Sequence, residues 1–123
     1  MKTKQMTEDY MKTIYILSKE GNVRCFQLAD RLAVSRPTVS ISLKTLAEDG
    51  LVYFEKKAVH LTAEGLKIAK AVEERYQVLY RFLRNLGVSA EIASRDACKM
   101  EHVLSDESFF ALRSLEQSTS VCV

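Results

Sequence analysis

The stretch that most constrains this chain is residues 25–61, where two short apolar stripes at helical spacing give way to two β-rich blocks. Leu28, Ala29 and Leu32 make the first stripe, and Ala33-Val34 reads as a tight turn. Ser35 is placed to cap a second helix, with Pro37 near its start, where a proline ring fits the helical backbone. Val39, Leu43 and Leu46 then recur at four and three. Two short helices joined by so brief a turn form a helix-turn-helix. After Gly50 the pattern changes: Leu51-Val52-Tyr53-Phe54 and Ala58-Val59-His60-Leu61 are β-rich and flank Glu55-Lys56-Lys57, a basic hairpin tip. A helix-turn-helix followed by a hairpin spells a winged helix, and the order is far more specific than either piece alone.

The remainder reads as helix. Thr7 is a candidate cap for a first helix, with Glu8 and Asp9 in its first turn, Tyr10, Ile14 and Leu17 at helical spacing, and Gly21 closing it. Thr62 is placed to cap a long helix whose apolar seam is Leu66, Ala69, Val72, Tyr76, Leu79, Leu83 and Leu86. So continuous a seam calls for a packing or dimer-forming helix, and Gly87 stops it. A further helix is expected over roughly 90–103, and another from Ser105 that carries Phe109, Phe110 and Leu112. The polar end, Gln117 to Val123, reads as frayed. The expected fold class is mainly α, a winged helix-turn-helix domain over 1–62 and a helical domain over 63–115, with a flexible tail over 116–123.

Composition sets the class. Of 123 residues, 47% are hydrophobic and 28% charged, the balance of a soluble globular chain, and one proline with four glycines favours helices. No apolar run approaches a membrane span, and Met1 to Glu8 lacks the apolar core of a secretory signal. Cys25, Cys98 and Cys122 are too scattered for a disulfide framework, so a reducing cytoplasm is the expected setting, with no membrane partner and no small-molecule substrate. Residues 1–62 hold ten Lys/Arg against seven Asp/Glu, a net +3, whereas residues 63–123 hold eight against nine, a net −1. The basic half is the one with the helix-turn-helix, which suits a nucleic-acid partner.

The second helix of such a motif enters the major groove of double-stranded DNA. With Val39, Leu43 and Leu46 turned inward, the candidate DNA-contacting set is Ser35, Arg36, Pro37, Thr38, Ser40, Ile41, Ser42, Lys44 and Thr45, joined by Lys56 and Lys57 at the wing tip. Hydroxyl groups suit phosphates and base edges, and the cations supply charge. Ile41 is odd on a solvent face; it either meets a thymine methyl group or is half buried by a small rotation of the helix.

Cys98, Glu101 and His102 lie at i, i+3 and i+4, which would place them on one helix face. Thiolate, carboxylate and imidazole together suit a borderline divalent metal, while a purely structural role is the standing alternative. A thiol enzyme built on Cys98 and His102 lacks an oxyanion motif and an orienting third residue, so no enzymatic activity is expected.

Four segments resemble the diphtheria-toxin-repressor family, iron- or manganese-dependent repressors of metal uptake that include the shorter manganese-transport regulators. They are Thr7 to Tyr15, Ala29 to Ser40, Leu61-Thr62-Ala63-Glu64-Gly65, and Asp96-Ala97-Cys98-Lys99-Met100-Glu101-His102-Val103-Leu104-Ser105-Asp106-Glu107. The resemblance implies a helical dimerisation domain after the winged helix, and homodimers that bind palindromic operator DNA when metal is present. It implies a primary metal site at Asp9, Cys98, Glu101 and His102, filled by Fe(II) or Mn(II), with Co(II), Ni(II) or Zn(II) able to bind in vitro. The thiolate favours Fe(II), Co(II) or Zn(II) over Mn(II), and the aspartate pulls the other way. The family's ancillary metal positions fall on Tyr76, Tyr80 and Ser94, and Lys12 stands where some manganese regulators place a glutamate, so one metal per subunit is expected. The rival expectation is a winged-helix repressor that has lost metal sensing.

Overall fold

The computed structural model describes residues 3–121, with side chains to Gln117; Cys122 and the last residue of the expected tail lie outside it. Two compact units divide within one helix, between Ala71 and Val72. The first contains α1 (Lys4–Ser18), α2 (Cys25–Leu32), α3 (Arg36–Glu48), β1 (Val52–Glu55), β2 (Ala58–Leu61) and the start of α4 (Ala63–Asn85). The second contains the rest of α4, then α5 (Ala90–Met100) and α6 (Asp106–Val121).

The helix-turn-helix forms as the periodicity requires. α2 ends at Ala33, which takes the left-handed conformation (φ 57°, ψ 45°) and returns its N–H to the last turn. Ser35 then caps α3, its Oγ accepting from the Thr38 N–H at 3.2 Å. Val39, Leu43 and Leu46 are fully buried and share one core with Met11 and Ile14 of α1 and Leu28 of α2. Truncating any of these leucines to alanine costs about 2–5 kcal/mol in cores of this kind.

β1 and β2 pair antiparallel with Val52 opposite Leu61 and Glu55 opposite Ala58. Glu55 therefore belongs to the strand, and the tip is Lys56-Lys57 alone. A backbone bond from the Val59 N–H to the Val23 carbonyl (2.9 Å) fastens the hairpin to the connection before α2. At its base, the Thr62 hydroxyl donates to the Gly50 carbonyl (2.7 Å) and accepts from the Gly65 N–H (3.1 Å). One side chain thus closes the wing and opens α4. Gly65 lies so close to the strand that an added Cβ would stand 2.2 Å from the Leu51 carbonyl oxygen. Ile68 and Ala69 continue the same packing, which is why the first unit extends past Thr62 into α4.

Four sequence expectations give way here. α1 is capped by Thr3, whose Oγ1 accepts from the Met6 N–H at 3.0 Å, and not by Thr7, which is buried inside the helix. Asp9 then falls in the second turn, beyond the reach of the N-terminal dipole that first-turn carboxylates exploit. α4 stops at Asn85, where Gly87 (φ +96°) turns the chain, so Leu86 leaves the seam and is exposed. α6 runs on through Val121, beyond position 116 where a tail was expected, because Glu116 is buried and paired with Arg81 of α4 (2.8 Å). Arg75 with Asp106 and Arg113 with Glu74 (3.1 Å) add further ion pairs between α4 and α6.

Alanine is the better helix former by about 1 kcal/mol. At position 65, however, the clash with the Leu51 carbonyl should dominate. Gly65→Ala is expected to destabilise the chain by about 1–3 kcal/mol in urea denaturation. An unchanged or raised midpoint would show that the strand yields at no cost.

Candidate nucleic-acid interface and metal centre

Burying one face of α3 leaves the other in solvent. Arg36, Pro37, Thr38, Ser40, Ile41 and Lys44 are exposed, whereas Ser42 and Thr45 are half buried. Ile41 is 69% exposed, which removes the half-buried reading and leaves an isoleucine held in water on an otherwise polar face. Three of the hydroxyl groups are engaged locally. Ser35 Oγ donates to Thr38 Oγ1 (2.9 Å) while it caps the helix, and Thr45 Oγ1 donates to the Ile41 carbonyl (3.3 Å). Ser35 thus sets the start of α3, and Arg36, Thr38, Ser40, Ile41 and Lys44 form its outward ridge.

At the wing tip Lys56 (φ 52°) and Lys57 (φ 66°) both occupy the left-handed region. A two-residue hairpin turn needs this shape because its twist matches that of the strands, and Asn-Gly satisfies it with least strain. Lysine at both positions costs roughly 1–2 kcal/mol each. Two adjacent cations are therefore held at the most projecting point of the hairpin against conformational preference. Behind them Tyr53 stacks on His60 across the strands, with ring centroids 5.2 Å apart.

Sequence reasoning passed over Phe26. Its ring is 45% exposed on α2, and the Arg36 guanidinium lies over it, 5.8 Å from the centroid. The signal was available, since Phe26 falls off the inward stripe of Leu28, Ala29 and Leu32.

Asp9 is half buried on α1 and lines a hollow of about 290 Å³ with Met6, Tyr10, Leu32 and Val34. The other three candidate ligands belong to the second unit. α5 ends at Met100; Glu101 is its C-cap, and the His102 N–H turns back to the Lys99 carbonyl (3.4 Å), a tighter step than the α-helical one. The three differ in burial and in their place on the helix. Cys98 is exposed on α5, whereas Glu101 and His102 are buried beyond its end, with His102 Nε2 3.7 Å from Glu101 Oε1. Among the described residues, no three His, Cys, Asp or Glu side chains stand together closely enough to hold an ion. The turn is fixed from outside: Arg75 donates to the Leu104 carbonyl (2.9 Å), pairs with Asp106 and lies over the Phe109 ring, 4.9 Å from its centroid.

The chemistry of the pair fits a divalent transition metal. A buried carboxylate is costly unless a cation or several donors compensate it. An adjacent imidazole supplies the nitrogen ligand that borderline metals favour. At the expected ancillary positions the Tyr76 hydroxyl and Ser94 Oγ are hydrogen-bonded (2.8 Å), and Tyr76 stacks on Tyr80, 5.9 Å between centroids. A phenol and an alcohol are poor ligands for such a metal at neutral pH.

Residues 2–59 match the iron-dependent repressor N-terminal DNA-binding domain, and residues 62–122 match the iron-dependent repressor metal-binding and dimerisation domain. The chain belongs to the iron-dependent repressor family. It is 45% identical over 116 residues to the transcriptional regulator MntR of Escherichia coli O6:H1, covering 93% of this chain and 75% of that one. It is 38% identical over 104 residues to the diphtheria toxin repressor of Corynebacterium glutamicum, covering 82% of this chain and 46% of that one. Among solved structures, a manganese-dependent transcriptional repressor in complex with manganese superposes with a TM-score of 0.83 at 33% identity, over 90% of this chain. The chain spans about half of that repressor, 52%. Family membership accounts for the winged helix and the helical unit together.

The strain at the wing tip is directly measurable. Replacing both residues, Lys56→Asn with Lys57→Gly, should raise thermal stability by about 1 kcal/mol or more. A fall in stability would mean that the lysines make compensating contacts.

Proposed function

We propose that this chain is a metal-activated transcriptional repressor that acts in the cytoplasm on genes of metal-ion homeostasis. It binds palindromic operator DNA as a homodimer and takes one Fe(II) or Mn(II) per subunit. The observation that carries the reading is the buried Glu101–His102 pair, set in a chain whose family is defined by a DNA-binding and a metal-binding domain. Asp9, Cys98, Glu101 and His102 are the proposed ligands. Bound there, the metal supplies positive charge to carboxylates and thiolate that would otherwise repel one another.

The chain's own residues do the rest. Asp9 belongs to the first unit and the other three proposed ligands to the second. Arg75 holds the turn that follows His102 by its grip on the Leu104 carbonyl. The outward ridge of α3 reads the major groove, with Ile41 against a thymine methyl, and Lys56 and Lys57 meet phosphate. Leu86, Val103, Phe110 and Leu115, all exposed on the second unit, supply an apolar surface for a second copy. A twofold dimer then matches a palindrome. Tyr76, Tyr80 and Ser94, at the expected ancillary positions, are poor metal ligands, which supports a single metal per subunit.

Calorimetric titration with Mn(II), anaerobic Fe(II), Co(II) and Zn(II) tests this. One equivalent per subunit should bind, and Asp9→Ala and His102→Ala should each weaken binding by more than about tenfold, since even outer-shell losses cost about 10–100-fold. No saturable binding, or affinities unmoved by both substitutions, would leave a repressor without metal sensing.

A further inference from the structure

Phe26 is a large aromatic of the first unit that its core does not use. It stands second in α2, outside the buried cluster that takes Leu28 and Ala29, and nearly half of its surface meets solvent. What its face meets is the guanidinium of Arg36, 5.8 Å from the ring centroid and within cation–π range.

Arg36 is the first residue of α3. A helix N-terminus carries partial positive charge, which disfavours a cation, and α3 has no acidic residue in its first turn to offset it. A long exposed side chain in that setting samples many rotamers unless something holds it. Stacking on an aromatic holds a guanidinium by its face and leaves the N–H donors along its edge available. Those donors are the groups that pair with phosphate oxygens or with the acceptor edge of guanine.

We propose that Phe26 is a positioning residue for DNA binding, its ring holding the Arg36 guanidinium in one orientation before the duplex arrives. The inference rests on the reading of α3 as the DNA-contacting helix. The ring lowers the ordering cost of the contact and touches no base itself.

A double-mutant cycle decides it. The probe is a fluorescent duplex selected from a random-sequence pool with the metal-loaded protein, titrated by anisotropy against wild type, Phe26→Leu, Arg36→Ala and the double variant. Phe26→Leu should weaken binding about two- to fivefold, the loss expected of an exposed cation–π pair. It should have no effect when Arg36 is already alanine, and Phe26→Tyr should keep wild-type affinity. An equal loss in both backgrounds overturns the proposal, because the ring would then act independently of Arg36. No loss in either background overturns it as well. If the wild-type chain selects no duplex, the DNA-binding reading fails and the positioning role falls with it.

Discussion

The exclusion of Val39, Leu43 and Leu46 from water is the constraint on which the first unit depends. These three side chains occupy one face of a 13-residue helix and are fully buried. Because the helix repeats every 3.6 residues, burying that face determines the other one. Arg36, Thr38, Ser40, Ile41 and Lys44 are outward for no reason local to themselves. The cap at Ser35 sets where the helix begins, and so which residue stands at its positive end. Function at this surface is a by-product of packing beneath it, with one exception. Ile41 gains nothing from the fold by lying in water, and the proposed thymine methyl contact would cover it.

The wing shows the opposite relation, in which local conformational preference is overridden. Two lysines hold the left-handed backbone that a two-residue turn requires, where glycine or asparagine would relieve it. Strain of this sort persists where the surrounding ladder enforces it. Here the ladder is short, and its base is closed by the Thr62 hydroxyl between Gly50 and Gly65. The same hydroxyl begins α4, so wing geometry and the entry of the long helix are linked through one residue.

Much of this was legible in the residues. The stripes of α2 and α3, the β-rich blocks and the caps at Ser35 and Thr62 rest on local periodicity and hydrogen bonding, which a sequence displays. The misreadings share one physical origin. Thr3 and Thr7 are both plausible caps, and burial of Thr7 against the rest of the unit decides between them. α5 ends at Met100 without a glycine or proline to mark it, in a turn tied down by Arg75 from 29 residues away. α6 persists through a polar stretch because Glu116 meets Arg81, 35 residues away. Long-range ion pairs leave no periodic trace. The Glu101–His102 pair was half legible: its donor chemistry was plain, but its burial beyond the end of α5, with Cys98 exposed, depends on where the helix stops.

The buried Glu101–His102 pair of the second unit is where the proposed metal control rests. A carboxylate and an imidazole buried side by side suit a cation, whereas replacing such a pair by apolar residues is often neutral or stabilising. Coupling between that site and DNA is the central claim, and it is a difference in free energy between two binding equilibria. The direct measurement is the affinity of the protein for its selected duplex in Mn(II) or Fe(II), and again in excess chelator. The account predicts binding weaker by about 5- to 150-fold in chelator, restored when metal is returned. Equal affinity in both conditions would contradict it.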